Sequence, residues 1–238
     1  MRPPRGALVI GGSGTVGRVV VEKLVRAGVP VWFTYHAGEA VAYELAESTR
    51  AKALELDATR RGAVGDAFAQ VARAGGHVDV LVYAAAVNAK QSFLDLPPEE
   101  WERMLAINTS AALAACQEVG RRTDPGGEAH VVLVGALDRT QSLPIPAAFA
   151  ATQGALGALA MGAAKELGPR GVRVNMVALG PLEQGLSQSL APEVLEDFRA
   201  YSALKRVGTA SEAADAIVWL ALENSYMNGK VIPVNGGV

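Results

Sequence analysis

Three glycines, Gly12, Gly14 and Gly17, are spaced two and three residues apart between an apolar run at 7–10 and a segment with helical period. Backbone without Cβ atoms turns tightly and lets an anion approach, and the first N–H groups of the following helix carry partial positive charge. The turn Gly11-Gly12-Ser13-Gly14-Thr15-Val16-Gly17 thus has the chemistry of a pyrophosphate cradle, with G-x-G-x-x-G in the strand-turn-helix setting that the motif requires. The competing reading is a tight turn that binds nothing.

Other chemistry-bearing residues are sparse. There is one cysteine, Cys116, and the three histidines, His36, His77 and His130, lie far apart without ligand spacing, so neither a disulfide framework nor a metal site is expected. A dinucleotide cradle that prefers NAD places an acid at the end of the second strand to hold the ribose diol. Here that strand ends Phe33-Thr34-Tyr35-His36, with no acid. NAD is therefore not favoured; His36 is a weak argument for a 2′-phosphate and reads equally well as an exposed loop residue.

The elements that must position these residues alternate. Short β-branched runs at 7–10, 29–35, 53–56, 78–83, 130–134, 172–178 and 231–234 are separated by longer segments with a 3.6-residue period, such as Val16, Val20, Leu24 and again Trp101, Met104, Leu105, Asn108. Runs such as Val80-Leu81-Val82 and Val131-Val132-Leu133-Val134 are apolar without alternation, as in strands covered on both faces. The expectation is an α/β fold, a Rossmann-like doubly wound seven-stranded parallel sheet with helices on both faces. At 238 residues the whole of 1–238 is expected to be a single dinucleotide-binding domain, with 182–202 as a lid or substrate-side insertion.

Bulk properties exclude several partners. A net charge of −2, with half the residues apolar, gives no nucleic-acid footprint and no disordered composition. Ala7 to Ile10 is too short for a signal-peptide core, and no apolar run reaches the ~18 residues of a membrane span, so a cytoplasmic protein without membrane contact is expected. Asn108-Thr109-Ser110 matches a glycosylation sequon inside a helical stretch, which chance explains better.

Further motifs resemble the ~250-residue branch of the short-chain dehydrogenase/reductase family, in particular the 3-oxoacyl-ACP reductases, from end to end. Leu54-Glu55-Leu56-Asp57-Ala58 resembles the family's third strand with its adenine-contacting Asp, and Ala106-Ile107-Asn108 its mid-helix catalytic Asn. Gly168-Pro169-Arg170-Gly171-Val172-Arg173-Val174-Asn175 resembles the lead-in to the sixth strand. Lys205-Arg206-Val207-Gly208, Glu212-Ala213-Ala214 and the run from Asn228 to Gly237 resemble the C-terminal motifs.

The resemblance places the family's Tyr-x-x-x-Lys on Phe149-Ala150-Ala151-Thr152-Gln153 and its catalytic Ser, thirteen residues earlier, on Ala136. Of four catalytic side chains only Asn108 remains. The family's Asn-Asn-Ala-Gly reads Tyr83-Ala84-Ala85-Ala86, its Pro-Gly reads Leu179-Gly180, its Thr falls on Gln184, and its middle turn glycine falls on Thr15. By the same resemblance Gly11 to Gly17, Tyr35, His36, Asp57, Ala58, Ala84, Ala85, Gln153, Gly180 and Leu182 are the dinucleotide-contacting positions. The cofactor implied is NADP(H) or NAD(H), bound weakly or lost.

Hydride delivery to a carbonyl builds charge on oxygen that must be stabilised and protonated. Phe149 has no proton to give, Ala136 no hydrogen bond, and neutral Gln153 cannot tune a pKa. Three readings follow: an atypical NAD(P)H reductase that takes its proton from water, the substrate, Asp138 or Tyr83; a non-redox dehydratase, isomerase or cyclase using Asn108 and Asp138; or a non-catalytic subunit. Asp138 also reads as a turn carboxylate. The small residues crowding 146–167 form a helix that family members use for dimer contacts, which implies a homodimer, a homotetramer or a hetero-oligomer with an active paralogue. The apolar residues Leu186, Leu190, Val194, Leu195 and Phe198 suit a small apolar acyl or polyketide-like ligand, or a lid packed on its own domain.

Overall fold

The structure, a computed structural model, describes residues 5–89, 91–136 and 145–238. Its seven strands form one parallel sheet in the order β3-β2-β1-β4-β5-β6-β7. They are β1 (Ala7–Ile10), β2 (Val31–Tyr35), β3 (Lys52–Glu55), β4 (Val80–Tyr83), β5 (Ala129–Ala136), β6 (Val172–Leu179) and β7 (Val231–Val234). The connecting helices are α1 (Thr15–Arg26), α2 (Glu39–Thr49), α3 (Ala63–Arg73), α4 (Pro98–Leu105), α5 (Ala111–Arg122), α6 (Ala147–Leu167), α7 (Pro192–Tyr201) and α8 (Ala210–Leu222).

Successive residues of a strand point to opposite faces, and here both faces are buried. Leu8, Leu81, Leu133 and Met176 point to the side covered by α3, α5 and α6, where Phe68, Val71, Ala115, Val119, Leu156 and Ala160 meet them. Val9, Val82, Val132 and Val177 point to the other side, covered by α1, α2 and α8 through Val20, Leu24, Leu45, Ile217 and Leu220. The strand order reverses between β1 and β4, which opens a crevice at the carboxyl ends of these strands.

Strand boundaries differ from the sequence pattern where hydrogen bonding overrides β-propensity. Val29 donates its N–H to the Leu24 carbonyl and so closes the end of α1, and β2 begins only after Pro30. β5 and β6 run two and one residues further than the apolar runs, paired up to Ala136 and Leu179, and this carries Ala136 to the crevice. The stretch around Asn108 is not one regular helix. A π-turn at Ala106–Ser110 separates α4 from α5, with the Ala111 N–H reaching back to the Ala106 carbonyl; such turns gather at functional sites.

Against the expectation of no span-length apolar segment, α6 with the turn after it (Ala147–Arg170) would suffice by length and composition to cross a membrane. Here its Phe149, Thr152, Gln153, Leu156, Ala160 and Ala164 are buried, packing the helix against β5 and β6.

Candidate functional site

The glycine turn has the geometry that its sequence demands. Gly11 is left-handed (φ +81°) and its N–H donates to Thr34 Oγ1 at 3.0 Å, which fixes the end of β1 to β2. A Cβ on Gly17 would stand 2.1 Å from the Gly11 carbonyl oxygen, and one on Gly12 would stand 2.5 Å from Phe33 Cβ, so both positions exclude any side chain. Gly14 caps α1 with no side-chain acceptor, which leaves the first-turn amides of Thr15, Val16 and Gly17 without a side-chain partner. Ser13 is half-buried beside them, and Thr15, Val16 and Gly17 line a cleft of about 370 Å³.

On one side of the turn lie Tyr35, His36, Asp57 and Ala58, outside the lining of that cleft. The Tyr35 ring packs 6.2 Å from Tyr43, and His36 is exposed. Asp57 Oδ1 accepts the N–H and the hydroxyl of Thr59 at 2.9 and 2.6 Å. These bonds hold its carboxyl below the usual range, with smaller help from His36 and Arg60. Ala58 packs against the α3 and α5 side of the core. Ala84 lines the cleft, whereas the Ala85 backbone lies over Gly11, 2.6 Å from where a Cβ on that glycine would stand.

On the other side Ala136, Phe149 and Gln153 converge on the same cleft, together with Gly180, Leu182 and Gln184. Gln153 is buried, and its Oε1 accepts the N–H of Ala136 at 3.0 Å while its Nε2 donates to Thr152 Oγ1 at 3.3 Å. Gly135 gives room for this bond, since a Cβ there would stand 2.7 Å from Gln153 Oε1. Thr152 Oγ1 donates to the Phe149 carbonyl at 2.8 Å.

Asn108 is fully buried and is committed to the same network. Its Oδ1 accepts the Val87 N–H at 2.9 Å, and its Nδ2 donates to the Val87 carbonyl at 2.9 Å and to Thr152 Oγ1 at 3.0 Å. The amide thus holds the chain after β4 against α6. The sequence gives no sign of Val87 or Thr152 as its partners, because an apolar residue and one threonine in a helix of small residues carry no motif.

Asp138 lies outside the described residues. Tyr83, named above as a proton source, is placed elsewhere: its ring is fully buried in the core and its hydroxyl donates to the Ile107 carbonyl in the π-turn. Burial pushes its pKa up, so it holds its proton there.

Among the described residues the cleft is lined by no Asp, Glu, His, Lys, Arg, Tyr or Cys. Its hydroxyls are those of Thr15 and Ser187, and the latter accepts the Leu182 N–H at 2.9 Å. Apolar side chains, Ile145, Pro146, Phe149, Leu182, Leu186 and Leu190, form much of the remaining wall. In the 182–202 segment Phe198 is buried under Gly180 and does not line the cleft. The described residues offer shape, apolar contact and amide hydrogen bonds; among them no lining side chain exchanges a proton near neutral pH. No three His, Cys, Asp or Glu side chains gather among the described residues.

Comparison with known proteins agrees with this fold. The family model described as enoyl-(acyl carrier protein) reductase matches residues 12–238. The chain is 32% identical over 232 residues to the cyclic-di-GMP-binding biofilm dispersal mediator protein of Escherichia coli K12, covering 96% of this chain and 94% of that one. It is 29% identical to the 3-oxoacyl-[acyl-carrier-protein] reductase FabG of Aquifex aeolicus, over 98% and 96% of the two chains. A short-chain dehydrogenase of Burkholderia cenocepacia, solved in complex with NADP, superposes with a TM-score of 0.87 at 28% identity, covering 100% of this chain and 99% of that one. With its parallel sheet, its glycine turn and a match over nearly all its length, this chain belongs to the short-chain dehydrogenase/reductase family.

Proposed function

We propose that this protein keeps the family's dinucleotide-binding scaffold, takes NADP(H), and does not carry out tyrosine-dependent interconversion of alcohols and ketones. One observation carries the reading. Ala136, Phe149 and Gln153, at the positions where the family's Ser, Tyr and Lys fall, meet in a cleft that has no titratable side chain among its described residues. Gln153 does not stand in for a lysine, because both ends of its amide are bonded within the protein.

The turn suits a dinucleotide. Glycines that admit no Cβ and a helix start without a side-chain cap are what a pyrophosphate needs. The Burkholderia relative bound to NADP and the absence of an acid at the end of β2 support NADP(H) over NAD(H). A bound NADPH supplies a hydride. This chain's residues would hold the pyrophosphate on the first-turn amides of α1 and exclude water with an apolar wall, and among the described residues of the cleft none donates a proton to the carbonyl oxygen. General acid catalysis is worth roughly 10²–10⁴ in rate and one oxyanion donor roughly 10²–10³, so ordinary ketone reduction is severely impaired.

Fluorescence titration of the purified protein with NADPH and NADH, followed by turnover of a β-ketoacyl thioester, tests the proposal. The expected result is saturable binding that favours NADPH, with turnover no faster than the buffer control. Fast turnover overturns the catalytic half, and absence of any NADPH binding overturns the cofactor half.

A further inference from the structure

Thr15 is the first residue of α1, immediately after the turn, and its side chain lines the cleft. It faces Gly185, which starts the short 3₁₀ turn Gly185–Ser189 in the loop after β6. A Cβ built on Gly185 finds Thr15 Oγ1 at 3.1 Å, Cβ at 3.3 Å and Cγ2 at 3.7 Å, and these three atoms of one side chain are its nearest neighbours. The gap between the loop and Thr15 is therefore too narrow for even one added methyl to sit without crowding.

The loop does not yield freely at this point. Glu183 N–H donates to the Gly208 carbonyl and Gly208 N–H to that of Pro181, each at 3.0 Å, and Leu182 N–H bonds Ser187 Oγ at 2.9 Å. Gly185 itself is left-handed (φ +81°), a conformation that other residues adopt only with strain. With the loop pinned behind and Thr15 in front, a β-branched side chain sets the width of the slot leading to the first-turn amides of α1. A side chain with few rotamers does not swing aside cheaply.

We infer that Thr15 is the residue that limits dinucleotide affinity in this chain, through the bulk of its two γ-atoms against Gly185. The inference rests on the NADP(H) reading above. A pyrophosphate entering the turn has to displace either the Thr15 rotamer or the Gly185 loop, and removing the γ-atoms removes that cost.

The test is the NADPH dissociation constant by fluorescence titration for the wild type and for Thr15→Ala, Thr15→Gly and Thr15→Val. Thr15→Ala keeps helix propensity at the start of α1, so folding is preserved even if the glycine variant is destabilised. The alanine and glycine variants are expected to bind NADPH about tenfold or more tighter than the wild type, equivalent to about 1.4 kcal/mol. Thr15→Val, which keeps the bulk and loses the hydroxyl, is expected to bind as the wild type does. Equal affinity across all four proteins overturns the inference, as does a valine variant that binds as tightly as alanine. If the wild type binds no NADPH and Thr15→Ala does, the cofactor reading of the native chain fails while the role of Thr15 stands. If no variant binds, both fall.

Discussion

Gln153 Oε1 accepts the backbone N–H of Ala136 at 3.0 Å, joining the last residue of β5 to the second turn of α6. Buried backbone donors are paired almost without exception, and at Ala136 the partner is a side chain. Gln153 is therefore a structural tie across the floor of the cleft. Gln153→Ala is expected to leave the Ala136 N–H unpaired and to cost about 1–3 kcal/mol of stability in urea unfolding. A loss below about 0.5 kcal/mol would show that water replaces the tie.

The same tie governs attempts to restore reductase chemistry. Gln153→Lys alone removes the acceptor and places an ammonium in a buried position, so a lowered melting temperature and no ketone reduction are expected. The triple change Ala136→Ser, Phe149→Tyr and Gln153→Lys supplies a proton donor, a hydroxyl to stabilise the oxyanion, and a counter-charge. NADPH-dependent ketone reduction about 10²-fold or more above the wild-type rate is expected. A wild type already as fast as the triple variant would remove the basis of the proposed function.

Two glycines in the turn should differ sharply in their tolerance of a methyl group. Gly17→Ala drives a methyl to within 2.1 Å of the Gly11 carbonyl oxygen, backbone that cannot step aside. Loss of NADPH binding together with at least about 3 kcal/mol of destabilisation is expected. Gly14→Ala meets only the Gly11 carbonyl at 3.2 Å, at an extended φ of −74°, and should change stability by less than about 1 kcal/mol. Circular dichroism melts and the fluorescence titration read both.

Asn108 closes three hydrogen bonds out of water, two of them to Val87. Asn108→Leu strands the Val87 N–H and carbonyl and is expected to cost about 2–4 kcal/mol. Asn108→Asp keeps the acceptor for the Val87 N–H but turns a buried carboxylate oxygen on the Val87 carbonyl, so it should cost at least as much as the leucine variant. A neutral Asn108→Leu would mean that the chain after β4 is held by something else.

His130 predicts a pH dependence of stability. Burial first, and then the Arg173 charge on the neighbouring strand, lower its pKa below the ordinary 6.5. The unfolded chain thus takes up a proton at a pH where the folded chain does not. Stability from this group is complete above about 6.5 and declines as pH falls from there towards the lower folded value. Melting temperatures measured between about pH 8 and pH 5 should fall less steeply for His130→Phe than for the wild type. Parallel curves would assign the acid sensitivity to other groups.

The sequence by itself determined the sheet and the turn. Apolar β-branched runs with no alternation imply strands buried on both faces, 3.6-residue periods imply the helices between them, and the glycines at 12, 14 and 17 sit where strand passes into helix. These are local signals, set by each residue and its near neighbours along the chain. The side-chain types at 136, 149 and 153 were equally legible, and so was their inability to move a proton.

What only the tertiary structure decided is which groups face one another. The Asn108 clamp on Val87, the tie from Gln153 to Ala136, the Tyr83 hydroxyl on the Ile107 carbonyl away from the cleft and the placing of Gly185 opposite Thr15 each join residues far apart in the chain. Local periodicity places elements but does not specify a hydrogen-bond partner on another element. That choice is made when the sheet assembles and buried polar groups are driven to the partners within reach.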